Sequence, residues 1–237
     1  MKLVVGNQKA YLNKDDVLEF IKITKKSNCK DVILCPTYPF ITMYADNSDY
    51  ILGAQDVSEK DNGGTTGEVS ARELKSLGVT YSIVGHSERR ENQDETSERI
   101  VNKINRLEEQ EMKTIFCVGE NKETRDNGNA KDYVGKEILE VFDNINSNYL
   151  ENIIIAYEPI WSIGTGVIPT NDEIRDMTNY IKDLVRDKYK TDIRVLYGGS
   201  VNKSNIDELN KIDEVDGYLI GGASTKEEFN YIIERNS

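Results

Sequence analysis

The chain's only histidine, His86, lies in Gly85-His86-Ser87-Glu88-Arg89-Arg90, directly after the short apolar run Tyr81-Ser82-Ile83-Val84. Imidazole changes charge near neutral pH, so a histidine where a strand gives way to a polar segment either caps the turn or moves protons. Glu158 follows the run Ile153 to Ala156 and precedes Pro159, whose ring pushes the residue before it toward extended geometry and so aims the carboxylate. It is read either as a general base or as an ordinary glutamate at a strand end. Lys9, close behind Leu3 to Gly6, offers fixed positive charge, with Asn7 beside it as a neutral donor and acceptor. Gly199-Ser200 and Gly221-Gly222 present backbone N–H groups without side-chain obstruction, the second pair opening a short final helix whose dipole favours an anion. Ile160 to Ile168 places Trp161, Ile163 and the Gly164-Thr165-Gly166 tip between Pro159 and Pro169, a flexible centre between stiff anchors, which is how a lid is built.

These residues need elements to hold them. Eight apolar, β-branched runs recur along the chain: Leu3 to Gly6, Asp31 to Cys35, Tyr50 to Ala54, Tyr81 to Val84, Thr114 to Val118, Ile153 to Ala156, Ile193 to Tyr197 and Gly217 to Ile220. Helical spacing fills the intervals, as in Asp15 to Lys26, Thr96 to Glu109, Val134 to Phe142 and Asn171 to Lys188. Val17, Leu18 and Ile21, then Ile174, Met177, Ile181 and Leu184, supply core stripes. Eight units of about 30 residues suit right-handed βαβ crossovers, and strands that are apolar throughout suit a sheet covered on both faces. The expected fold is α/β, a single closed eight-stranded parallel (β/α)8 barrel over residues 1–237. An open doubly wound sheet is the alternative, but no G-x-G-x-x-G follows the first strand. In a barrel, the loops after strands one, four, six, seven and eight share one rim, so Asn7, Lys9, His86, Glu158, Ser200, Gly221 and Gly222 converge there.

Composition narrows the partners. Thirty percent of the 237 residues are charged and the net charge is −12, without the Lys/Arg clusters that a nucleic-acid backbone demands. Screening over about 8 Å leaves a local pocket free to bind a small anion all the same. No apolar run approaches a membrane span, and Leu3-Val4-Val5 is too short for a secretory core, so a cytoplasmic protein is expected. Cys29, Cys35 and Cys117 lack metal-ligand spacing and one histidine is too few for zinc, so buried reduced thiols and no metal are expected.

Taken together and in order, Gly6-Asn7-x-Lys9, Gly85-His86-Ser87-Glu88-Arg89-Arg90, Ala156-Tyr157-Glu158-Pro159-Ile160-Trp161-x-Ile163-Gly164-Thr165-Gly166, Tyr197-Gly198-Gly199-Ser200 and Gly217-Tyr218-Leu219-Ile220-Gly221-Gly222-Ala223-Ser224 resemble the triosephosphate isomerase family over nearly the whole length. The resemblance implies a TIM barrel that interconverts dihydroxyacetone phosphate and D-glyceraldehyde 3-phosphate through an enediolate, without cofactor or metal. It implies Glu158 as the base and Lys9 as the cation. His86 becomes a neutral electrophile at a helix N-terminus, a role that belongs to this family's known chemistry and is carried over with the motif. Gly164, Ser200, Gly221, Gly222 and Asn7 become substrate contacts. Glu88 is either a relay carboxylate behind His86 or one half of a surface ion pair.

The resemblance also implies a homodimer, through the loop Asp56 to Glu68 with its Gly-Gly-Thr-Thr-Gly-Glu tip and a polar network of Thr66, Glu68, Arg89 and Glu95. Gln8, Ala10, Tyr11 and Gln93 depart from the family pattern in segments near that contact and put the dimer geometry in question. Two other functions fit less of the pattern. A different phosphate-binding barrel enzyme explains the glycines but not the trio Lys9, His86 and Glu158. A non-catalytic paralogue has no need of base, electrophile and lid.

Overall fold

All eight apolar runs form strands, β1 (Leu3–Asn7), β2 (Val32–Cys35), β3 (Ile51–Ala54), β4 (Tyr81–Val84), β5 (Lys113–Val118), β6 (Ile153–Tyr157), β7 (Arg194–Tyr197) and β8 (Gly217–Ile220), in a computed structural model that describes residues 1–24, 31–163 and 167–236. Every strand is parallel to its sequence neighbours, and β1 pairs with β8 as well as β2, so the sheet closes in the order β1 to β8. Val5 sits opposite Ile33 on one side and Leu219 on the other, which fixes the register of closure.

Continuous apolarity in these strands has a direct cause: side chains alternate between two dry environments. Val5, Ile33, Ile83, Ile115, Ile154, Leu196 and Leu219 fill the barrel lumen together with Cys35, Cys117 and Ala156. Their neighbours Val4, Val32, Val84, Phe116, Ile155 and Val195 face outward into a second buried layer beneath the helices. Each fully buried Val, Ile or Leu contributes on the order of 1.5–3 kcal/mol, so both layers resist charge or truncation. Alternation also aims the functional residues. Glu158 continues the lumen-facing series Ile154, Ala156, and Asn7 continues the series from Val5, so both reach the mouth of the barrel.

The helices lie over 14–24, 71–76, 87–92, 97–109, 122–126, 130–142, 171–189, 206–209 and 228–234, with a further short helix at 41–47. Their starts are chemically marked: Thr96 accepts from the Arg99 amide, and Thr170 forms a reciprocal capping box with Glu173. Two expectations need correction. Leu18 is exposed, because the inward stripe of the first helix runs Val17, Phe20, Ile21, Thr24 at i, i+3, i+4 and i+7, which turns position 18 to solvent. Gly221-Gly222 opens a single 3-10 turn, Gly222–Thr225, and the final α-helix starts only at Glu228. The Ser224 and Thr225 hydroxyls donate to the Gly221 and Gly222 carbonyls and keep that turn tight. Cys35 and Cys117 are buried free thiols, while Cys29 falls outside the described residues.

Candidate active site

The loops leaving β1, β4, β6, β7 and β8 enclose a pocket of about 320 Å3 at the carboxyl rim. Asn7, Lys9, His86, Glu158, Ser200, Gly221 and Gly222 all line it, as do Gly198, Gly199 and Ile163. Of the residues the sequence nominates, Gly164 lies outside the described residues.

At the centre, His86 Nε2 stands 3.1 Å from Glu158 Oε1, both side chains almost wholly buried. His86 caps the helix Ser87–Asn92, and its Nδ1 accepts the Glu88 amide hydrogen at 3.2 Å. That acceptor role requires a bare Nδ1, so the geometry accommodates the neutral tautomer with its hydrogen on Nε2, aimed at the pocket. Burial is the largest influence on the ring and opposes protonation. The charge of Glu158 and the hydrogen bond to it outweigh burial, so the imidazole pKa lies above its ordinary value while the two groups face each other.

Glu158 is held by partners on several sides. Burial, again the largest influence, disfavours its ionised form, but His86, the Ser87 amide at 3.2 Å and the charge of Lys9 together hold its pKa below the ordinary carboxylate value. Two glycines let Glu158 sit here. A Cβ on Gly119 would fall 1.7 Å from the Glu158 carbonyl oxygen, and one on Gly198 would meet Glu158 Cγ at 2.9 Å.

Lys9 adopts a left-handed backbone, φ 48°, which costs a non-glycine residue roughly 1–3 kcal/mol. Asn7 Oδ1 accepts the Lys9 amide hydrogen at 3.0 Å, and Gln55 Nε2 donates to both the Lys9 and Cys35 carbonyls at 2.9 Å. The conformation is thereby imposed from both sides. Lys9 Nζ pairs with Glu88 at 2.5 Å. Its other oxygen is 3.9 Å from His86 Nδ1.

Beneath His86 lies a buried charge network. Lys103 Nζ contacts Asp56 at 2.6 Å and Glu95 at 3.1 Å, Arg89 reaches the same two carboxylates at 2.8 Å, and Glu95 accepts the Gly85 amide at 3.0 Å. Burial opposes ionisation of Glu95, but Lys103, the Gly85 amide and Arg89 prevail and lower its pKa. Arg89 and Glu95 thus serve within the chain, while Thr66 and Glu68 stand exposed on the loop after Asp56. Asp56 and Lys103 escape sequence reading because a lysine at a core-facing helical position carries no signal until its carboxylates are in view.

At the start of the loop after β6, Trp161 Nε1 donates to Glu120 Oε1 at 2.8 Å, and the Tyr157 hydroxyl donates to the same oxygen at 3.1 Å. The Arg125 guanidinium stacks 3.8 Å over the Trp161 ring and pairs with Glu173. Ser200 Oγ donates to the Ser162 carbonyl at 3.3 Å, tying the loop after β7 to this one. Val167 and Ile168 are exposed on its far side. Of the departures, Gln8 is buried and donates to the Ser224 carbonyl at 3.3 Å, and Tyr11 is exposed at the pocket rim. Among the described residues no group of three or more His, Cys, Asp or Glu side chains is placed to hold a metal, and no helix is long and apolar enough to cross a membrane.

A carboxylate facing an imidazole, beside a lysine and open backbone amides, has the chemistry for proton transfer on a small anionic substrate. Residues 2–236 match the family model described as Triosephosphate isomerase. The chain is 36% identical over 242 aligned positions to a triosephosphate isomerase of Alkaliphilus oremlandii, covering 98% of each protein. It is 37% identical to one of Dictyoglomus thermophilum over 238 positions, 95% of each, and 37% identical to one of Buchnera aphidicola over 246 positions, 98% of this chain and 97% of the other. With the rim residues and the full-length match in agreement, the chain belongs to the triosephosphate isomerase family.

Proposed function

We propose that the protein interconverts dihydroxyacetone phosphate and D-glyceraldehyde 3-phosphate, a step of glycolysis and gluconeogenesis, and does so without cofactor or metal. The observation that carries the reading is the close approach of Glu158 to His86 Nε2, 3.1 Å, in one pocket with Lys9 and the glycine pairs.

Glu158 takes the proton from the carbon beside the substrate carbonyl and returns it to the neighbouring carbon. His86 Nε2–H polarises the carbonyl and passes its proton between the two oxygens, remaining neutral before and after. Lys9 balances the enediolate and the phosphate, and Asn7 helps fix Lys9. The amides of Gly164, Ser200, Gly221 and Gly222 receive the phosphate, whose negative charge suits unhindered N–H donors. As a substrate draws Glu158 away from His86 and the Ser87 amide, the influences that lower its pKa fall away while burial remains, so the carboxylate becomes a stronger base where it is needed. Closure of the loop from Ile160 to Ile168 excludes water and protects the enediolate from losing its phosphate.

Residues 1–237 are read as one barrel domain in the cytoplasm, where the buried free thiols Cys35 and Cys117 suit a reducing compartment. A homodimer is proposed from a groove of about 650 Å3 beside the active site, walled by Ala10, Leu12, Tyr38, Pro39 and Gln93 and by Lys9 and His86. The exposed loop that follows Asp56 on a second copy is its occupant, which brings the partner against the lysine strand end.

A coupled isomerase assay tests the function. The parent protein is expected to turn over dihydroxyacetone phosphate, with inhibition by the enediolate mimic 2-phosphoglycolate, and Glu158→Gln to fall by several orders of magnitude. A parent no faster than Glu158→Gln refutes the proposal. Sedimentation at micromolar concentration checks the dimer.

A further inference from the structure

Arg89 serves the network with Asp56 and Glu95, whereas Arg90 turns the other way and has no part in the chemistry derived above. Its Nε donates to the Gly85 carbonyl at 2.8 Å, and its Nη2 to the Cys117 carbonyl at 3.2 Å. Its Nη1 lies 3.4 Å from Glu137 Oε1, a buried carboxylate of the helix Ala130–Phe142. The second Glu137 oxygen accepts the Gly119 amide at 2.9 Å.

Each of those backbone groups belongs to a segment that carries a reacting side chain. Gly85 C=O is half of the peptide unit that begins His86. Cys117 and Gly119 flank Val118, whose carbonyl accepts the Glu158 amide at 2.8 Å, and Gly119 packs directly against the Glu158 backbone. One planar guanidinium therefore spans the ends of β4 and β5, and its carboxylate partner continues the span to the residue on which Glu158 rests.

We propose that Arg90, anchored by Glu137, is a positioning residue for the isomerisation: it sets the separation between the strand ends that carry His86 and Glu158. The geometry suits arginine better than lysine, because a rigid fork presents three separate nitrogens to two carbonyls and a carboxylate at fixed angles, whereas an ammonium must draw all three acceptors to one atom. The inference rests on the isomerase reading. It also has a route to a chemical test, since the outer side of Arg90 and Glu137 opens onto a surface pocket of about 490 Å3, large enough to admit a guanidinium ion.

The test compares the parent with Arg90→Ala and Arg90→Lys by kcat, by KM for dihydroxyacetone phosphate, and by the 15N resonances of the imidazole, which are unambiguous because His86 is the only histidine. In Arg90→Ala, kcat is expected to fall about 100-fold, the scale of an ångström-sized misplacement, with KM within threefold. Arg90→Lys falls about tenfold. Millimolar guanidinium chloride restores Arg90→Ala about tenfold and returns the His86 resonances toward the parent's, while leaving the parent unchanged. A folded Arg90→Ala with kcat within threefold of the parent, or a loss of kcat with unmoved His86 resonances, overturns the proposal. Should Arg90→Ala not fold, an Arg90→Lys with parental kcat and parental resonances overturns it equally. A parent without isomerase activity fails the functional reading instead, and the resonance comparison still decides the positioning claim.

Discussion

Gly119→Ala touches no group that meets substrate, yet it should cripple the enzyme. The added Cβ would lie 1.7 Å from the Glu158 carbonyl oxygen and 2.6 Å from its carbonyl carbon. Ordinary contact requires roughly 3.4 Å, so the two backbones must part by about 1.7 Å. Both are strand ends locked in the barrel, and the Glu158 amide is already bonded to Val118, so the shift falls on the base itself. A displacement beyond about 1 Å costs on the order of 100-fold in rate, equivalent to about 2.7 kcal/mol of transition-state stabilisation. Overpacking should also cost about 1–3 kcal/mol of folding stability. Gly198→Ala serves as the graded control: its Cβ meets the flexible Glu158 Cγ at 2.9 Å and comes no nearer than 3.3 Å to backbone, at the Tyr157 carbonyl oxygen, so the loss of kcat should be markedly smaller. Steady-state kinetics in both directions, with circular dichroism to verify folding, measure the pair. A folded Gly119→Ala with kcat within threefold of the parent, or a Gly198→Ala that loses more kcat than Gly119→Ala, refutes the claim that this close approach places the base.

Burial pushes the Glu137 carboxyl up to about 7, against the pull of Arg90 and the Gly119 amide. A carboxyl whose folded pKa is raised from 4.5 holds its proton more tightly when folded, so its contribution is best below about pH 4.5 and is lost as pH climbs through 7. Relative to the parent, Glu137→Gln should therefore gain stability as pH rises through those limits, reaching about 3 kcal/mol by pH 8, and denaturant melts at pH 4.5 and 8 showing no such divergence would contradict the sign. Glu95 behaves oppositely: its depressed pKa supplies stability above the ordinary carboxylate range that disappears as pH falls through the folded value, so Glu95→Gln should destabilise at pH 7 and converge on the parent in acid. Trp161→Phe removes the indole donor to Glu120, a bond to a charged acceptor worth roughly 1.5–3 kcal/mol. It should lower both Tm and kcat, and a variant unchanged in both would deny the indole its role at the loop's root.

The barrel was legible because its strands are buried on both faces and so are apolar at every position, while the intervening segments keep helical spacing. Most boundaries moved by a residue or two, though the helix ending at Phe142 begins four residues earlier than expected, at Ala130, and Leu18 turned outward because Phe20 and Thr24 centre the buried stripe on the other side of Val17. The gathering of Asn7, Lys9, His86, Glu158, Ser200, Gly221 and Gly222 in one rim pocket was legible, since each sits just after a strand end and those ends share a rim. Their supports were not. Gln55 under Lys9, Lys103 under Glu95 and Glu137 behind Arg90 act across 46, 8 and 47 positions of sequence respectively, and a buried lysine or glutamate on a helix looks like any solvated one until the fold brings its partner within reach.

The central claim is that Glu158 moves a proton at the carbon beside the substrate carbonyl while His86 serves the oxygens. Isomerising dihydroxyacetone phosphate in D2O and following the label by NMR tests it most directly. The account predicts that, as isomerisation proceeds, the parent places solvent deuterium on the product carbon that was the carbonyl carbon of dihydroxyacetone phosphate, and that Glu158→Gln binds 2-phosphoglycolate but incorporates none. Deuterium incorporation that survives Glu158→Gln undiminished would contradict it.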